Sequence, residues 1–278
     1  MISHPEQTQP SGENPMGRHD LLVVDVGNSR VAVASWRQGR LSEATRLPLT
    51  PADDVIGHLK ETWKALPAER RGAIVVGSVN PAAFKAIDAG LSREGLPAPL
   101  LVGRDLPAPM GADVPAPEKV GTDRLCVASA AFARLKTACV VADFGSAVTI
   151  DLVADNNVLL GGTILPGLQL AARALHEHTA QLPLVEVTAS TETLGKNTAD
   201  CIRNGVFAML VGALREITER YASQIGRWPP LVVTGGDAAA IASACDFVDH
   251  VWNDLSLEGL VLAWRRRFEE DTSEPVEN

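Results

Sequence analysis

The chain has 278 residues, enough for one large domain or two of ordinary size. Its formal charge of −9 and its lack of a large lysine–arginine cluster argue against nucleic-acid binding, and 4% aromatic residues are too few for a base-stacking platform. No apolar run reaches the length of a membrane span, the four cysteines form no CxxC pair, and the polar N-terminus lacks the apolar core of a secretory signal. We therefore expect a cytoplasmic protein with no membrane partner and no zinc or redox site.

The two ends of the chain differ in composition from its middle. Residues 1–18 and 269–278 are rich in polar, proline and acidic residues, which favours disordered tails. The proline-rich segment 105–120 resists regular structure and is typical of a crossover between domains. We therefore predict an N-terminal domain over 19–118 and a C-terminal domain over 119–268.

The N-terminal domain begins with an apolar run from Leu21 that predicts a buried central strand. The alternating residues after it predict a hairpin partner and a third short strand, and amphipathic helices then alternate with apolar strands. The predicted elements are strands at 21–27, 30–36 and 44–49, a helix at 51–66, a strand at 72–80, a helix at 81–95 and a strand at 98–103. This β-β-β-α-β-α-β order is typical of a ribonuclease-H-like half.

The C-terminal domain repeats the three-strand opening after a helix for which Thr122 is the predicted N-cap. The predicted elements are a helix at 121–136, strands at 138–145, 146–153 and 157–165, helices at 166–182 and 193–225, a strand, glycine turn and helix over 230–245, and a final helix at 255–270. The duplication predicts an α/β protein in which two ribonuclease-H-like domains face a central cleft.

Two predicted strands end in the same polar pattern, an aspartate followed by glycine and a small hydroxyl or amide residue. The first turn reads DVGNS and the second reads DFGSAVT, with Asp25, Gly27, Asn28, Ser29, Asp143, Gly145 and Ser146. Strand ends collect ligands in α/β proteins, glycine admits a close phosphate, and Asp25 suits Mg²⁺ bound through water. One such turn alone indicates a plain hairpin, but two at the same offset predict loops that hold a nucleotide phosphate and its metal.

A third glycine turn, VVTGGDA, places Gly235 and Gly236 between a strand and a helix. In a cleft protein of this layout the turn would lie against the adenosine. The alternative is a simple strand–helix connection, and these residues alone leave both interpretations open.

The motif GTDR supplies the candidate catalytic residue. Asp123 lies in the first turn of a predicted helix, where the positive helix end keeps its carboxylate ionised and able to accept a proton. Arg124 can hold a substrate carboxylate in bidentate fashion. Both residue types are also common in helix caps and on surfaces, so the motif is weak when taken alone.

The ordered set DVGNS, GTDR, DFGSAVT, GGTILPG, LGKNT and TGGDA resembles type III pantothenate kinase, from about Leu21 to Phe268. That family belongs to the acetate-kinase, sugar-kinase, Hsp70 and actin-like ATPase group. The resemblance implies ATP-dependent phosphorylation of pantothenate to 4′-phosphopantothenate, the first step of coenzyme A biosynthesis. It also implies a homodimer whose substrate pocket lies close to the subunit interface.

The same resemblance implies roles for individual residues. Asp123 would accept the substrate proton, Asp143 would bind K⁺ or NH₄⁺, and Asp25 would bind Mg²⁺ through water. The residues that would contact ATP are Asp25, Val26, Gly27, Asn28, Ser29, Arg30, Ser146, Gly235 and Gly236. Those that would contact pantothenate are Gly121, Thr122, Asp123, Arg124 and Thr198.

Two positions depart from the family pattern. Ser146 replaces the usual threonine and keeps its hydroxyl, whereas Val114 stands where the family often has a tyrosine shortly before the pantothenate turn. The single tyrosine, Tyr221, falls far along a predicted helix. The sequence therefore leaves two alternatives open: a catalytically weak nucleotide-binding accessory protein, or a kinase for another small carboxylate.

Overall fold

The computed structural model of the protein describes residues 19–189 and 194–268. The predicted tails, 1–18 and 269–278, lie outside these residues. The described part of the chain folds into two six-stranded sheets flanked by helices, which confirms the mixed α/β architecture.

The first sheet is built around a central strand whose side chains are almost all buried. Its strands are β1 (Asp20–Val26), β2 (Arg30–Arg37), β3 (Arg40–Leu41), β4 (Thr45–Pro48), β5 (Arg71–Ser78) and β6 (Leu100–Leu101). The strand order is β3-β2-β1-β5-β6, and β4 also pairs with β2. Strand β1 runs antiparallel to β2 and parallel to β5.

The second sheet repeats that pattern. Its strands are β7 (Gly111–Ala112), β8 (Cys139–Phe144), β9 (Ala147–Val153), β10 (Val158–Pro166), β11 (Leu231–Thr234) and β12 (His250–Val251), in the order β12-β11-β8-β9-β10-β7. Strand β8 runs antiparallel to β9 and parallel to β11, as β1 does with its neighbours. The two aspartate turns therefore leave equivalent strands of the two sheets.

The described α-helices are α1 (Ala52–Lys64), α2 (Pro81–Arg93), α3 (Thr122–Leu135), α4 (Leu168–Glu177), α5 (Thr198–Ile225), α6 (Ala238–Ala242) and α7 (Leu255–Phe268). Short 3₁₀ turns occur at 68–70 and 117–119. No helix within 19–189 or 194–268 is both long and apolar enough to cross a bilayer.

Alternate side chains of β1 point to opposite faces of the first sheet. Leu22 and Val24 pack in a core with α1 and α2, whereas Leu21 and Val23 pack in a core with α7. Helix α7 also crosses α3 closely. Gly259 permits this approach, because a Cβ at that position would lie only 2.3 Å from the Cys126 carbonyl oxygen. The last helix therefore joins the first sheet to the helix that carries the GTDR motif.

Two segments lie on the other side of the predicted domain boundary. Strand β7 falls within 19–118 but pairs with β10, so it extends the second sheet. Helix α7 falls within 119–268 but buries Leu257 and Leu260 against the first sheet. Each of these segments thus packs with the sheet of the other predicted domain. Such long-range packing cannot be predicted from composition along the chain.

A local prediction at the start of α3 was wrong. Gly121, and not Thr122, is the N-cap residue, and Thr122 is the first residue of the helix. A Cβ at position 121 would lie 2.4 Å from the Asp123 carboxylate oxygen Oδ1. The glycine therefore leaves room for the Asp123 side chain at the helix start.

Candidate active site

The first turn begins where β1 ends. Asp25 is the penultimate residue of that strand, and the Gly27 amide donates a hydrogen bond to the Arg30 carbonyl oxygen at 3.0 Å. The side chains of Asn28, Ser29 and Arg30 are exposed in the turn, whereas Val26 is buried in the core of the first sheet. The Val26 side chain therefore cannot reach a ligand.

The second turn has a similar construction at the end of β8. The Gly145 amide donates to the Ala147 carbonyl oxygen at 3.1 Å, and Asp143 precedes this turn as Asp25 precedes the first. Gly167 closes over the turn, with its amide 3.0 Å from the Ser146 carbonyl oxygen. A Cβ on Gly167 would lie 2.3 Å from the Gly145 carbonyl oxygen, so only glycine permits this approach.

The two turns meet although they are far apart in the chain. The Ser29 and Ser146 hydroxyl oxygens are 3.3 Å apart, within hydrogen-bonding distance. Both residues are exposed. The sheets therefore present two hydroxyl-bearing turns to one shared space. Binding a polyphosphate between two loops requires hydrogen-bond donors arranged in this way.

The third glycine turn lies against the second. Thr234 at the end of β11 is in register with Asp143. Gly235 has a φ of +96°, and a Cβ there would lie 2.4 Å from Asp143 Oδ1. The next residue, Gly236, has open space around its Cα. Burial raises the pKa of Asp237, and the Arg30 charge partly offsets this rise, so the third turn also lies near the first.

The Asp123 carboxylate belongs to the same charged neighbourhood. Burial raises the pKa of Asp143 to about 7, and the charges of Asp25 and Asp123 add to the rise. Burial likewise raises the pKa of Asp25 to about 6, with a hydrogen bond from the Ser256 side chain opposing it and the Asp123 charge adding to it. Three carboxylates therefore repel one another in a partly buried space, and each favours a cation nearby.

The donor set fits a cation at this place. None of the hydrogen bonds or ion pairs among residues 19–189 and 194–268 involves the Asp143 carboxylate. The described residues contain no group of three or more His, Cys, Asp or Glu side chains that could hold a metal. A cation here would therefore take few ligands from side chains, at most one each from Asp25 and Asp143. Carbonyl oxygens, water and substrate phosphates would complete its coordination shell.

Arg124 makes its strongest contacts with a residue that motif analysis missed. Its Nε donates to Asp151 Oδ1 and Oδ2 at 3.2 and 3.1 Å, and its Nη2 donates to Oδ1. This bidentate edge of the guanidinium is therefore taken by Asp151, and a substrate carboxylate could use only the remaining Nη1–Nη2 edge. Asp151 interrupts the buried run of β9, and a charged residue in such a strand was the available signal.

Tyr221 is also close to this ion pair despite its distance in the sequence. Its hydroxyl donates to the Ile150 carbonyl oxygen at 3.2 Å, and burial raises its pKa, to which the charge of Asp151 adds. Val114, the residue at the family's tyrosine position, lies beside β10, 3.8 Å from where a Cβ on Gly161 would stand. No sequence pattern indicated that Tyr221 lies near the Arg124–Asp151 ion pair.

Thr198 lies in a different setting from the other predicted substrate residues. It is the first residue of α5 and lines an apolar groove between α4 and α5 that also includes Leu175, Met209 and Cys201. No hydrogen bond or ion pair within the described part of the chain joins Thr198 to the Asp123 turn.

The duplicated sheets and the apposed aspartate turns define the class of protein. The fold has two similar halves, each with the ribonuclease-H-like arrangement of strands found in actin-like ATPases. The chain is similar to a protein from Campylobacter jejuni named as a Baf family transcriptional activator (TM-score 0.57, 20% identity, 91% of this chain and 100% of that chain). It is also similar to component A of (R)-2-hydroxyglutaryl-CoA dehydratase from Acidaminococcus fermentans (TM-score 0.54, 13% identity, 89% and 98% covered). Identities this low show the fold alone.

Sequence comparison gives the family. The family model for type III pantothenate kinase matches residues 21–220. A type III pantothenate kinase from Anaeromyxobacter sp. is 34% identical over 252 residues, which cover 88% of this chain and 99% of the relative. The chain therefore belongs to the type III pantothenate kinase family.

Proposed function

We propose that this protein phosphorylates pantothenate with ATP to give 4′-phosphopantothenate, the first step of coenzyme A biosynthesis. Family membership supports the reaction. The observation that supports the mechanism is that Asp123 lies near enough to Asp25 and Asp143 for its charge to raise the pKa of both carboxylates.

The two turns bind the ATP phosphates in this proposal. Ser29 and Ser146 offer hydroxyl donors from opposite sides, and the Asn28 amide and Arg30 guanidinium are exposed in the same loop. Mg²⁺ held near Asp25 through water would neutralise negative charge on the phosphates. Phosphoryl transfer depends mainly on such positioning and electrostatic stabilisation.

Asp123 accepts the proton of the pantothenate hydroxyl as that oxygen attacks the γ-phosphorus in line. The residue lies in the first turn of α3, whose positive end favours the ionised carboxylate. Arg124, the next residue, binds the pantothenate carboxylate through the guanidinium edge that Asp151 leaves free. Holding both ends of the acceptor keeps the hydroxyl aligned for attack.

A monovalent cation, K⁺ or NH₄⁺, is the proposed partner of Asp143. The support is the raised pKa of this carboxylate and its lack of a hydrogen-bonding partner within residues 19–189 and 194–268. A cation there would keep Asp143 ionised at neutral pH and reduce its repulsion of Asp25.

We place the enzyme in the cytoplasm as a homodimer. All four cysteines are free, which suits a reducing compartment. Leu170, Leu175 and Met209 on α4 and α5 are exposed beside an apolar groove. Exposed apolar patches of this kind mark interaction surfaces, and a second copy of the chain would cover this one.

The test is ADP release by the purified protein with and without pantothenate, in potassium and in sodium buffer. Pantothenate-dependent release that requires K⁺ or NH₄⁺ is the expected result. ATP binding without release would indicate an accessory nucleotide-binding protein, and release only with another small acid would indicate a different acceptor.

A further inference from the structure

Arg124 is held in one orientation by a carboxylate from another element. Arg124 lies in the first turn of α3, and Asp151 lies within β9. The ion pair is largely inaccessible, with 16% of the Arg124 side chain and 2% of the Asp151 side chain exposed. Two donor nitrogens on one carboxylate fix the plane of the guanidinium as well as its position.

The neighbouring strand is shaped to admit this ion pair. Gly162 on β10 is in register with Asp151. A Cβ at Gly162 would lie 1.9 Å from Asp151 Oδ1, 2.6 Å from the Ile150 carbonyl oxygen and 2.9 Å from Arg124 Nη2. The φ of Gly162 is not in the left-handed region, so the reason for glycine here is space, for the ion pair and for the neighbouring β9 backbone, and not backbone conformation.

Stability alone is a poor explanation for such an arrangement. Removing two charges from water costs about as much as their attraction returns, so buried ion pairs are weak stabilisers compared with apolar residues of similar volume. The Arg124 guanidinium follows directly after Asp123 in the chain. An orienting role beside the acceptor substrate accounts for both the buried charges and the missing side chain at position 162.

We propose that Asp151 is a positioning residue that aims the free guanidinium edge of Arg124 at the carboxylate of the acceptor, with Gly162 providing the space. This inference rests on the proposed function. It makes Asp151 and Gly162 determinants of the preference for an acidic acceptor over a neutral one, although neither residue touches the substrate.

The first test moves the ion pair without changing any charged group. Gly162→Ala is compared with Gly111→Ala on the paired strand β7, where a Cβ would meet nothing within 4 Å. Gly162→Ala should raise the KM for pantothenate about tenfold to hundredfold, the usual cost of displacing a positioning group. The KM for ATP should stay near the wild-type value, because the change acts on the acceptor and not on the nucleotide.

The second test removes one charge of the pair. Asp151→Asn is compared with Asp155→Asn, which breaks a different Asp–Arg pair, with Arg227, beyond the end of the same strand. The acceptors are pantothenate and pantothenyl alcohol, its neutral analogue. The wild type and both controls should prefer the acid, and Asp151→Asn and Gly162→Ala should lose that preference by lowering kcat/KM for the acid alone.

Three results would overturn the inference. Gly162→Ala and Asp151→Asn could match their controls, they could lower kcat/KM for acid and alcohol equally, or they could raise the KM for ATP as much as that for pantothenate. The second and third results would assign the ion pair a purely structural role. If the wild-type protein shows no pantothenate-dependent ADP release, the proposed function fails first, and this outcome is distinguishable because it precedes any variant.

Discussion

The crowded carboxylates predict that Asp143→Asn makes the cation-free protein more stable at pH 8. Asp143 has a pKa of about 7 in the folded protein against 3.8 for an ordinary aspartate, because of burial and the charges of Asp25 and Asp123. The folded state therefore binds a proton more tightly at this site than the unfolded state does. The cost of the charge is greatest above pH 7 and falls as the pH drops below 7.

The size of the effect follows from the pKa difference. At pH 8 the ionised side chain costs the folded state about 4 kcal/mol, since one pKa unit is worth about 1.4 kcal/mol. A neutral amide at the same place loses contacts with water about as a protonated carboxyl does, so that cost cancels in the comparison. The variant should therefore gain about 4 kcal/mol at pH 8, which raises the Tm of a protein of this size by about 8 to 16 °C. At pH 5 the cost of the aspartate falls to about 2 kcal/mol, and the gain should fall to about half of its value at pH 8.

The assay is thermal unfolding of wild type and Asp143→Asn at pH 5 and pH 8, with a chelator and without K⁺ or NH₄⁺. Asp246→Asn is the control, because the Asp246 side chain is 90% exposed and pairs only with surface Arg215; its Tm should hardly change. Adding Mg²⁺ and K⁺ at pH 8 should stabilise the wild type more than the variant. A variant less stable than wild type at pH 8, or one with equal gains at both pH values, would refute the electrostatic argument.

Four other changes test the site and the assembly. Asp123→Asn should lower kcat by about two to four orders of magnitude through loss of the general base, with a Tm no lower than that of the wild type; near-normal ADP release would contradict that role. Gly235→Ala should lose about 2 kcal/mol or more of stability and raise the KM for ATP, because φ is +96° and the new Cβ would lie 2.4 Å from Asp143 Oδ1. Gly57→Ala on α1, where a Cβ would meet nothing within 4 Å, should do neither; equal effects would count against the proposed contact. Ser146→Ala should raise the KM for ATP about tenfold or more by removing a donor to a charged phosphate, while Ser146→Thr should preserve it, and an unchanged alanine variant would exclude the contact. Met209→Asp should convert a dimer into a monomer in light scattering, and Val251→Asp, exposed on β12, should not; a dimeric Met209→Asp protein would move the interface elsewhere.

Local patterns were sufficient for much of the fold. The apolar run into Asp25 and its repeat into Asp143 predicted two equivalent strands, and β1 and β8 have equivalent neighbours in the two sheets. The predicted strand and helix order of the first half is confirmed, with the two-residue β3 as an addition. Patterns with periods of two and 3.6 residues depend on burial of one face, which the chain itself encodes.

Other features depend on contacts between distant segments. Arg124 pairs with Asp151, and Tyr221 comes near this pair, only after α3, β9 and α5 pack together. Motif analysis assigned Arg124 to the substrate alone and gave Asp151 no role. The positions of β7 and α7 also depend on distant contacts. Strand β7 pairs with the edge of the second sheet, and α7 packs on an apolar face of the first sheet, and both surfaces are formed by residues far away in sequence.

The position of α7 has a consequence for how the chain folds while it is being synthesised. Leu21 and Val23 belong to the first described strand, yet the helix that covers them follows every other described element in the chain. The same helix contributes Ser256 to Asp25. The proposed nucleotide site therefore depends on a helix that is made after both sheets, and a nascent chain that stalls before residue 255 leaves one face of its first sheet uncovered.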